Sequence, residues 1–336
     1  MRAVHTAVAL AVVSTLTLAG CSRGSGGSPD STSGGKGAAR PKNATMIMST
    51  LNNPFFISVK NGAQAEAKKL GFALNVQNAN NSDTTALNLA TSAVSKQVGA
   101  LIIDPVSTQS ATSAVNQANG AKIPILGFDR RPSGGTLASF IGYDAIEAGR
   151  RSADALAKSL GAKGQVVEIQ GLLGTNVAQD RSKGFEQEIA KSPGIKVVAK
   201  QAANFDRATA LDTMTNILQA HPGIDGVYAA NDEMAMGVLA ALKSRGLAGK
   251  VQLVGNDGIS DALQAINAGQ MYATNAESPY ALGQQVARLT AQVLAGKAVK
   301  DNQVLEGKLT TKDTVKAYAR TLVGLGDSAD VPASLR

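Results

Sequence analysis

The sequence repeats one unit through most of its length: a short apolar run, a polar turn and an amphipathic stretch with helical spacing. In the first copy, an apolar run over residues 44–50 is followed by Asn53, a favourable helix N-cap, and by Pro54 at the first helical position. Apolar side chains then recur every three or four residues as far as Gly71, a typical helix stop. Strands that alternate with helices predict parallel sheets covered by helices on both faces.

The unit recurs too often for a single sheet. Roughly ten strand-like runs precede residue 294, and open sheets rarely hold that many strands. The pattern also restarts after the segment Gly142-Tyr143-Asp144. The sequence therefore predicts an α/β fold with two Rossmann-like lobes, each built on a parallel sheet. After a last helix over residues 279–294, it predicts an irregular segment.

The N-terminal segment has the features of a secretory signal. Arg2 supplies a positive charge, residues 7–18 form a short apolar run, and the run ends in Leu-Ala-Gly-Cys at Cys21. The apolar run is too short to span a membrane, so residues 1–20 are predicted to be a signal peptide. Leu-Ala-Gly-Cys resembles the bacterial lipobox, in which the cysteine is lipid-modified; an incidental cysteine is the alternative. Because Cys21 is the single cysteine, disulfides and thiolate metal sites are excluded.

The segment after Cys21 predicts how the protein is held. Residues 22–42 are rich in glycine, serine and proline, so residues 21–42 are predicted to be a lipidated cysteine and a flexible tether. We expect the protein to be exported and anchored to the outer face of the cell membrane, or to be periplasmic.

The net charge is +8, but the basic residues are scattered. This pattern indicates a solvated surface and no nucleic-acid partner.

Polar side chains follow several of the predicted strands. The segments concerned read "LIIDP", "ILGFDR", "VVEIQG", "VYAANDE" and "LVGNDG". In open α/β sheets, ligands bind outside the carboxyl ends of the strands, so two facing lobes would form a cleft lined by these side chains. The alternative is that each acidic or amide residue caps the next helix, with Asp104 before Pro105 as the best example.

These residue types suit a sugar. Carboxylates accept hydrogen bonds from hydroxyl groups, guanidinium groups donate them, and amides do both. Aromatic rings pack on the apolar faces of a sugar ring. Phe55 and Phe56 stand side by side in a chain that is only 4% aromatic. We therefore expect at least one of the two rings to line the cleft.

Several segments together resemble a known family. They read "STLNNPFF", "FDRR", "EIQGLLGT", "NFDR" and "HPGIDGVYAANDEMAMG". Over about residues 44–308 the chain resembles the ribose-binding branch of the type I periplasmic solute-binding proteins, which serve ABC importers. The resemblance implies two lobes that close on the ligand by hinge motion. It implies crossings near Tyr143-Asp144, Glu277-Ser278 and Leu305-Glu306. The lobes would comprise residues 43–143 with 278–305 and residues 144–277 with 306–325.

The resemblance also implies a ligand shell. Its members would be Asn53, Phe55, Phe56, Asp129, Arg130, Arg181, Phe205, Asn231 and Asp257, with Glu277 at the last position of the shell. Phe56 and Phe205 would sandwich the sugar ring. The two arginines would donate hydrogen bonds, and the two aspartates would accept them.

Two positions depart from the pattern of ribose binders. Glu277 stands where they have glutamine, and Asn256 stands where they have phenylalanine. An ionised carboxylate cannot donate a hydrogen bond as an amide does. The identity of the sugar or polyol is therefore left open, while the ligand class is kept.

Other functions fit less well. The two histidines are His5, in the signal, and His221, in a predicted helix-end turn, and the chain lacks nucleophile-elbow, metal-ligand, Walker and dinucleotide motifs. We therefore expect that the protein is not an enzyme and that it binds no cofactor and no metal ion. An exported protein cannot act as a transcription regulator. The expected partners are a monosaccharide or polyol, an ABC permease and the membrane, with the protein itself a monomer. A receptor that presents its ligand to a membrane sensor is the alternative.

Overall fold

The computed structural model describes residues 40–336, so the predicted signal peptide, Cys21 and nearly all of the tether lie outside the described residues. The strands are β1 (Asn43–Met48), β2 (Ala73–Asn78), β3 (Ala100–Ile103), β4 (Ile125–Phe128), β5 (Ser139–Tyr143), β6 (Lys163–Gln170), β7 (Gly194–Ala202), β8 (Gly226–Ala229), β9 (Gln252–Asp257), β10 (Ala273–Ala276), β11 (Asn302–Leu305) and β12 (Lys308–Thr311). The helices are α1 (Pro54–Leu70), α2 (Asp83–Ser95), α3 (Ala111–Gly120), α4 (Ala145–Ser159), α5 (Asn176–Ile189), α6 (Arg207–Ala220), α7 (Asp232–Ser244), α8 (Ser260–Asn267), α9 (Pro279–Leu294) and α10 (Val315–Leu325).

Two six-stranded sheets organise the described residues. The first has the strand order β11-β5-β4-β3-β1-β2, and every neighbouring pair in it is parallel. The second has the order β12-β10-β9-β8-β6-β7 and is parallel except for the edge pair of β10 and β12. We call the sheets with their helices the first and second lobes. The predicted α/β fold with two parallel-sheet lobes is confirmed.

The chain passes between the sheets at three points. The chain leaves the first sheet after β5 and again after β11, and each time the next strand belongs to the second sheet. Between these two points, it returns to the first lobe after β10. The crossings therefore follow Tyr143, Ala276 and Leu305. The residue limits assigned to each lobe stay a prediction.

Glycines allow two helices of the first lobe to pack closely. A Cβ atom on Gly62 of α1 would lie 2.1 Å from the carbonyl oxygen of Tyr280, and one on Gly283 of α9 would lie 2.0 Å from that of Val59. Asn53 caps the start of α1, because its side chain accepts a 2.8 Å hydrogen bond from the backbone N–H of Phe55. This contact holds the start of α1, and hence both phenylalanines, at the carboxyl end of β1.

The prediction of an irregular C-terminal segment is wrong. Residues after α9 form β11, β12 and α10, which packs on β12 and α8 of the second lobe and also on α9 of the first. The chain then returns to the first lobe, because Gln284 donates to the carbonyl of Leu325 at 3.2 Å and Ser58 donates to Asp327 at 3.3 Å. Short strands with few apolar residues carry little periodic signal, so only the pairing partners reveal them.

Among residues 40–336, no helix is both long enough and apolar enough to cross a bilayer.

Candidate ligand-binding cleft

A cleft that measures about 290 Å³, with the open space at its mouth included, lies between the two lobes. It is lined by Asn53, Phe55, Phe56, Asp129, Arg130, Val177, Arg181, Phe205, Asn231 and Asp257. Nine of these ten residues are those that the resemblance implied, and Val177 was missed because an apolar residue at a helix start has no distinctive signal. Most lie just beyond the carboxyl ends of β1, β4, β7, β8 and β9. The structure thus brings together side chains that are far apart in sequence.

The aromatic rings come from both lobes. Phe55 and Phe56 are almost fully buried and meet edge to face, with ring centroids 5.3 Å apart. Phe205 lies opposite, and its ring would collide with a Cβ atom on Gly171, so the glycine makes room for it. The Cζ atom of Arg130 lies 5.4 Å from the ring centroid of Phe56 and 5.7 Å from that of Phe205. The two rings therefore flank one guanidinium group at the cavity.

Arg130 is held by two carboxylates of the first lobe. Its Nε atom lies 3.8 Å from Asp129 Oδ2 and 3.8 Å from Asp104 Oδ1, and one terminal nitrogen donates to the carbonyl of Pro105 at 3.1 Å. Asp104 is fully buried and accepts from the backbone N–H of Ser49 at 3.1 Å. The interpretation of Asp104 as a helix cap is wrong, because α3 begins seven residues later, at Ala111, and Asp104 pairs with Arg130 instead.

Arg181 has a similar environment in the second lobe. One terminal nitrogen donates to the carbonyl of Ala230 at 2.9 Å. The other donates to Glu277 Oε2 at 3.0 Å and lies 3.5 Å from Asp257 Oδ1. Glu277 is 1% exposed and lies behind Arg181, outside the residues that line the cavity. Direct contact between Glu277 and a ligand stays a prediction.

A buried layer of amides supports these carboxylates. Asn256 donates to Asp257 at 3.1 Å, and Asn275 donates to Asn256 at 2.9 Å across the paired strands β9 and β10. Asn275 also approaches Glu277 at 3.4 Å. From the sequence, Asn256 was recognised as a difference from ribose binders, but the hydrogen bond that Asn275 donates to it was not foreseen. The backbone φ of Asp257 is +125°, a strained value that this network of side-chain contacts helps to hold.

Two residues combine capping with a place in the cavity wall. Asn53 caps α1, and Asn231 caps α7 by accepting from the backbone N–H of Met234 at 3.0 Å. Asp129 and Asp257 cap no helix, since α8 begins after Ile259 without a side-chain cap. The capping alternative thus holds for the two asparagines, and it does not account for the two aspartates.

Burial shifts the ionisation of the carboxylates. It raises the pKa of Asp104 to about 7, although Arg130 opposes the shift. Burial likewise raises the pKa of Asp129, Asp257 and Glu277 above their ordinary values, against the pull of the arginines. Burial alone would lower the pKa of Arg181, but Glu277 and Asp257 together hold it above its ordinary value. Arg181 is therefore charged, while the carboxylates ionise reluctantly.

The lobes also touch beside the cavity. The backbone N–H of Arg131 donates to the side chain of Asn176 at 3.1 Å, and that of Thr108 approaches the carbonyl of Gly174 at 3.4 Å. Arg131 and Asn176 are the neighbours of the lining residues Arg130 and Val177. These contacts join the two lobes directly beside the cleft. Within residues 40–336, no group of three or more His, Cys, Asp or Glu forms a candidate metal site.

The model of the periplasmic binding protein domain matches residues 44–298. The chain belongs to the periplasmic binding protein family. Among its relatives, the ribose import binding protein RbsB of Salmonella typhimurium is 39% identical over 267 residues, which cover 80% of this chain and 90% of the relative. The D-allose-binding periplasmic protein of Escherichia coli is 33% identical over 275 residues, covering 79% and 88%.

Solved structures agree with this assignment to the periplasmic binding proteins. The ABC transporter periplasmic solute binding protein from Actinobacillus succinogenes 130z, with bound D-allose, superposes with a TM-score of 0.79 at 31% identity. The match covers 83% of this chain and 100% of that one. All three relatives are named as binding proteins, and the one of known structure belongs to an ABC transporter. The chain is accordingly a binding protein and not an enzyme.

Proposed function

We propose that the protein is an extracytoplasmic solute-binding protein of an ABC importer that holds ribose or a related monosaccharide or polyol between its lobes. The observation that carries the proposal is the convergence of rings, carboxylates, amides and guanidinium groups from both lobes on one cavity. Hydroxyl groups both donate and accept hydrogen bonds, so a polyhydroxylated ligand can satisfy all of these side chains at once. The named ligands of the relatives, ribose and allose, belong to this chemical class.

The close approach of the two lobes favours a small ligand. The Cζ atom of Arg130 lies 5.4 Å from the ring centroid of Phe56 and 5.7 Å from that of Phe205. This spacing suits a monosaccharide or polyol and not an oligosaccharide. Phe56 and Phe205 supply apolar surface from opposite lobes, while Asp129 and Asp257 supply acceptors. A ligand held by both lobes stabilises their closed arrangement, because it contacts the full set of side chains only when the lobes meet.

The experiment is a ligand screen on the purified protein by thermal shift and titration calorimetry. Probes are D-ribose, D-allose, ribitol, xylitol and myo-inositol. We expect at least one to bind and to raise the unfolding temperature. Asp257→Asn should weaken that binding about 10- to 100-fold, since hydrogen bonds to charged groups are the strong ones. Asp313→Asn is the control, because Asp313 lies beside Tyr272 at the opposite end of the second sheet. Absence of binding by every probe, or equal effects of both substitutions, would contradict the proposal.

We also propose that Cys21 carries a lipid anchor and that the segment behind it acts as a tether. The support is the sequence Leu-Ala-Gly-Cys at the end of a short apolar run, followed by a Gly- and Ser-rich stretch. Stable anchoring needs more than one acyl chain or a second membrane signal. Cys21→Ala should move the protein from the membrane fraction to the soluble fraction. Unchanged fractionation would exclude the anchor and leave the ligand proposal intact.

A further inference from the structure

Each arginine of the cleft lies between two carboxylates, one in the cavity wall and one behind it. Arg130 lies 3.8 Å from both Asp129, in the wall, and Asp104, behind it. Arg181 lies 3.5 Å from Asp257, in the wall, and 3.0 Å from Glu277, behind it. The two lobes thus present the same arrangement, although the residues come from unrelated segments of the chain.

All six charged side chains are withdrawn from solvent. Their exposed fractions are 10% for Asp129, 6% for Arg130, 5% for Arg181 and Asp257, 1% for Glu277 and 0% for Asp104. Charges in such surroundings interact more strongly than on the surface, and salt screens them less. The balance of charge around the cavity therefore bears directly on which ligands can enter.

The carboxylates outnumber the arginines. With every group ionised, four carboxylates face two guanidinium groups, and among the described residues no other Lys, Arg or His pairs with these carboxylates within 4.0 Å. Asp232, also fully buried and next to Asn231 of the cavity wall, adds a further carboxylate held by the backbone N–H of Gly258. At a pH above the raised pKa values of these carboxylates, the site is thus anionic in spite of its two arginines.

The arginines are also engaged. An anionic ligand is normally bound by an arginine through two parallel N–H groups. In Arg181, one terminal nitrogen already donates to Ala230, and the other is directed at Glu277 and Asp257. In Arg130, a terminal nitrogen donates to Pro105, and Nε lies between two aspartates. Each guanidinium group thus has one terminal nitrogen committed to a backbone carbonyl, and its charge is shared between two carboxylates.

We propose that Asp104 and Glu277, the two carboxylates behind the arginines, set the charge of the cleft so that it selects neutral polyols and excludes anionic derivatives such as sugar acids and sugar phosphates. The inference rests on the proposed function. Both residues act through an arginine and lie outside the cavity wall, so they are positioning residues that determine specificity. An anionic ligand would be repelled by these carboxylates in a site of low dielectric. We expect this repulsion to weaken its binding by about 100-fold or more relative to a neutral ligand.

The test compares matched ligands by titration calorimetry. Ribitol and D-ribonate differ by a terminal CH₂OH and a carboxylate, and xylitol and D-xylonate form a second pair; D-ribose with D-ribose 5-phosphate is the third. In the wild-type protein we expect the neutral member of a binding pair to be preferred about 100-fold or more. The titrations are run at about pH 8, above the pKa of about 7 to which burial raises Asp104. Under these conditions Asp104→Asn and Glu277→Gln keep the shape of each side chain and remove one charge. Each should reduce that preference about tenfold or more, because one like charge is gone.

Controls separate charge selection from structural damage. Asp212→Asn removes one negative charge from an exposed position on α6 and should leave the preference unchanged. Thermal unfolding shows which variants are folded. The test can be completed with either Asp104→Asn or Glu277→Gln if only one of them folds. Equal affinity for both members of a binding pair, or an unchanged preference in a folded variant, would overturn this inference alone. If no neutral probe binds, the proposed function fails first.

Discussion

A hydrogen bond of 3.0 Å joins Arg181 of α5 to Glu277, which directly follows β10 where the chain returns to the first lobe. The two residues are 96 positions apart in sequence and both are almost fully buried. One side of the cleft is therefore tied to a hinge crossing by a charged pair. This relationship makes the arginine important for the stability of the protein.

Arg181→Met should destabilise the protein strongly. The substitution leaves Asp257 and Glu277 without their cation in a buried site, a change that typically costs about 3–5 kcal/mol of unfolding free energy. The matched control is Arg207→Met, because Arg207 pairs with Glu233 and Asp261 but is 43% exposed. Its pairs should contribute about 1 kcal/mol or less. Urea unfolding measures both values, and similar losses for the two variants would contradict the prediction.

Gly62→Ala should separate α1 from α9. The added methyl group would lie 2.1 Å from the carbonyl oxygen of Tyr280, and backbone cannot move aside as a flexible side chain can. We expect a loss of about 1–3 kcal/mol, as for overpacked cores. Gly120→Ala is the control, since no atom beyond its own turn of α3 lies within 4 Å of the new methyl group. A thermal melt that shows Gly62→Ala as stable as this control would disprove the close-packing argument.

The stability of the empty protein should fall as the pH rises from about 4 to 7. Burial raises the pKa of Asp104 from 3.8 to about 7, so the folded state binds a proton that the unfolded state has released in this window. Each such group contributes a slope of at most about 1.4 kcal/mol per pH unit. The groups that face Asp104 are Arg130, Asp129 and Ser49. Asp104→Asn should flatten the profile, and an unchanged slope in urea unfolding at several pH values would refute the assignment.

Removal of residues 326–336 should lower the stability of the protein. The deletion removes the buried side chains of Val331 and Leu335 and the hydrogen bond between Ser58 and Asp327. Burial of each apolar side chain is worth about 1.5–3 kcal/mol, so we expect a loss of several kcal/mol in unfolding free energy. Ser58→Ala removes only the hydrogen bond and should cost about 1 kcal/mol. Equal stability of the truncated and full-length proteins would show that the tail contributes nothing.

Local patterns predicted the architecture well. The alternation of apolar runs with amphipathic stretches, and caps such as Asn53, depend on residues a few positions apart, so they can be recognised without knowing the fold. The two parallel-sheet lobes and most helix positions followed from them. The same reasoning failed for β5, β11 and β12, whose short runs become strands only through pairing with distant neighbours.

The sequence by itself determined the fold class and, through the family resemblance, the side chains that gather at the cavity. Tertiary structure alone decided that Asp104 and Glu277 stand behind the two arginines, that Asn275 supports Asn256, and that the C-terminal tail returns to the first lobe. The physical reason is that charge balance and burial depend on distances between segments that sheet order and helix packing bring together. Periodicity along the chain contains no information about those distances.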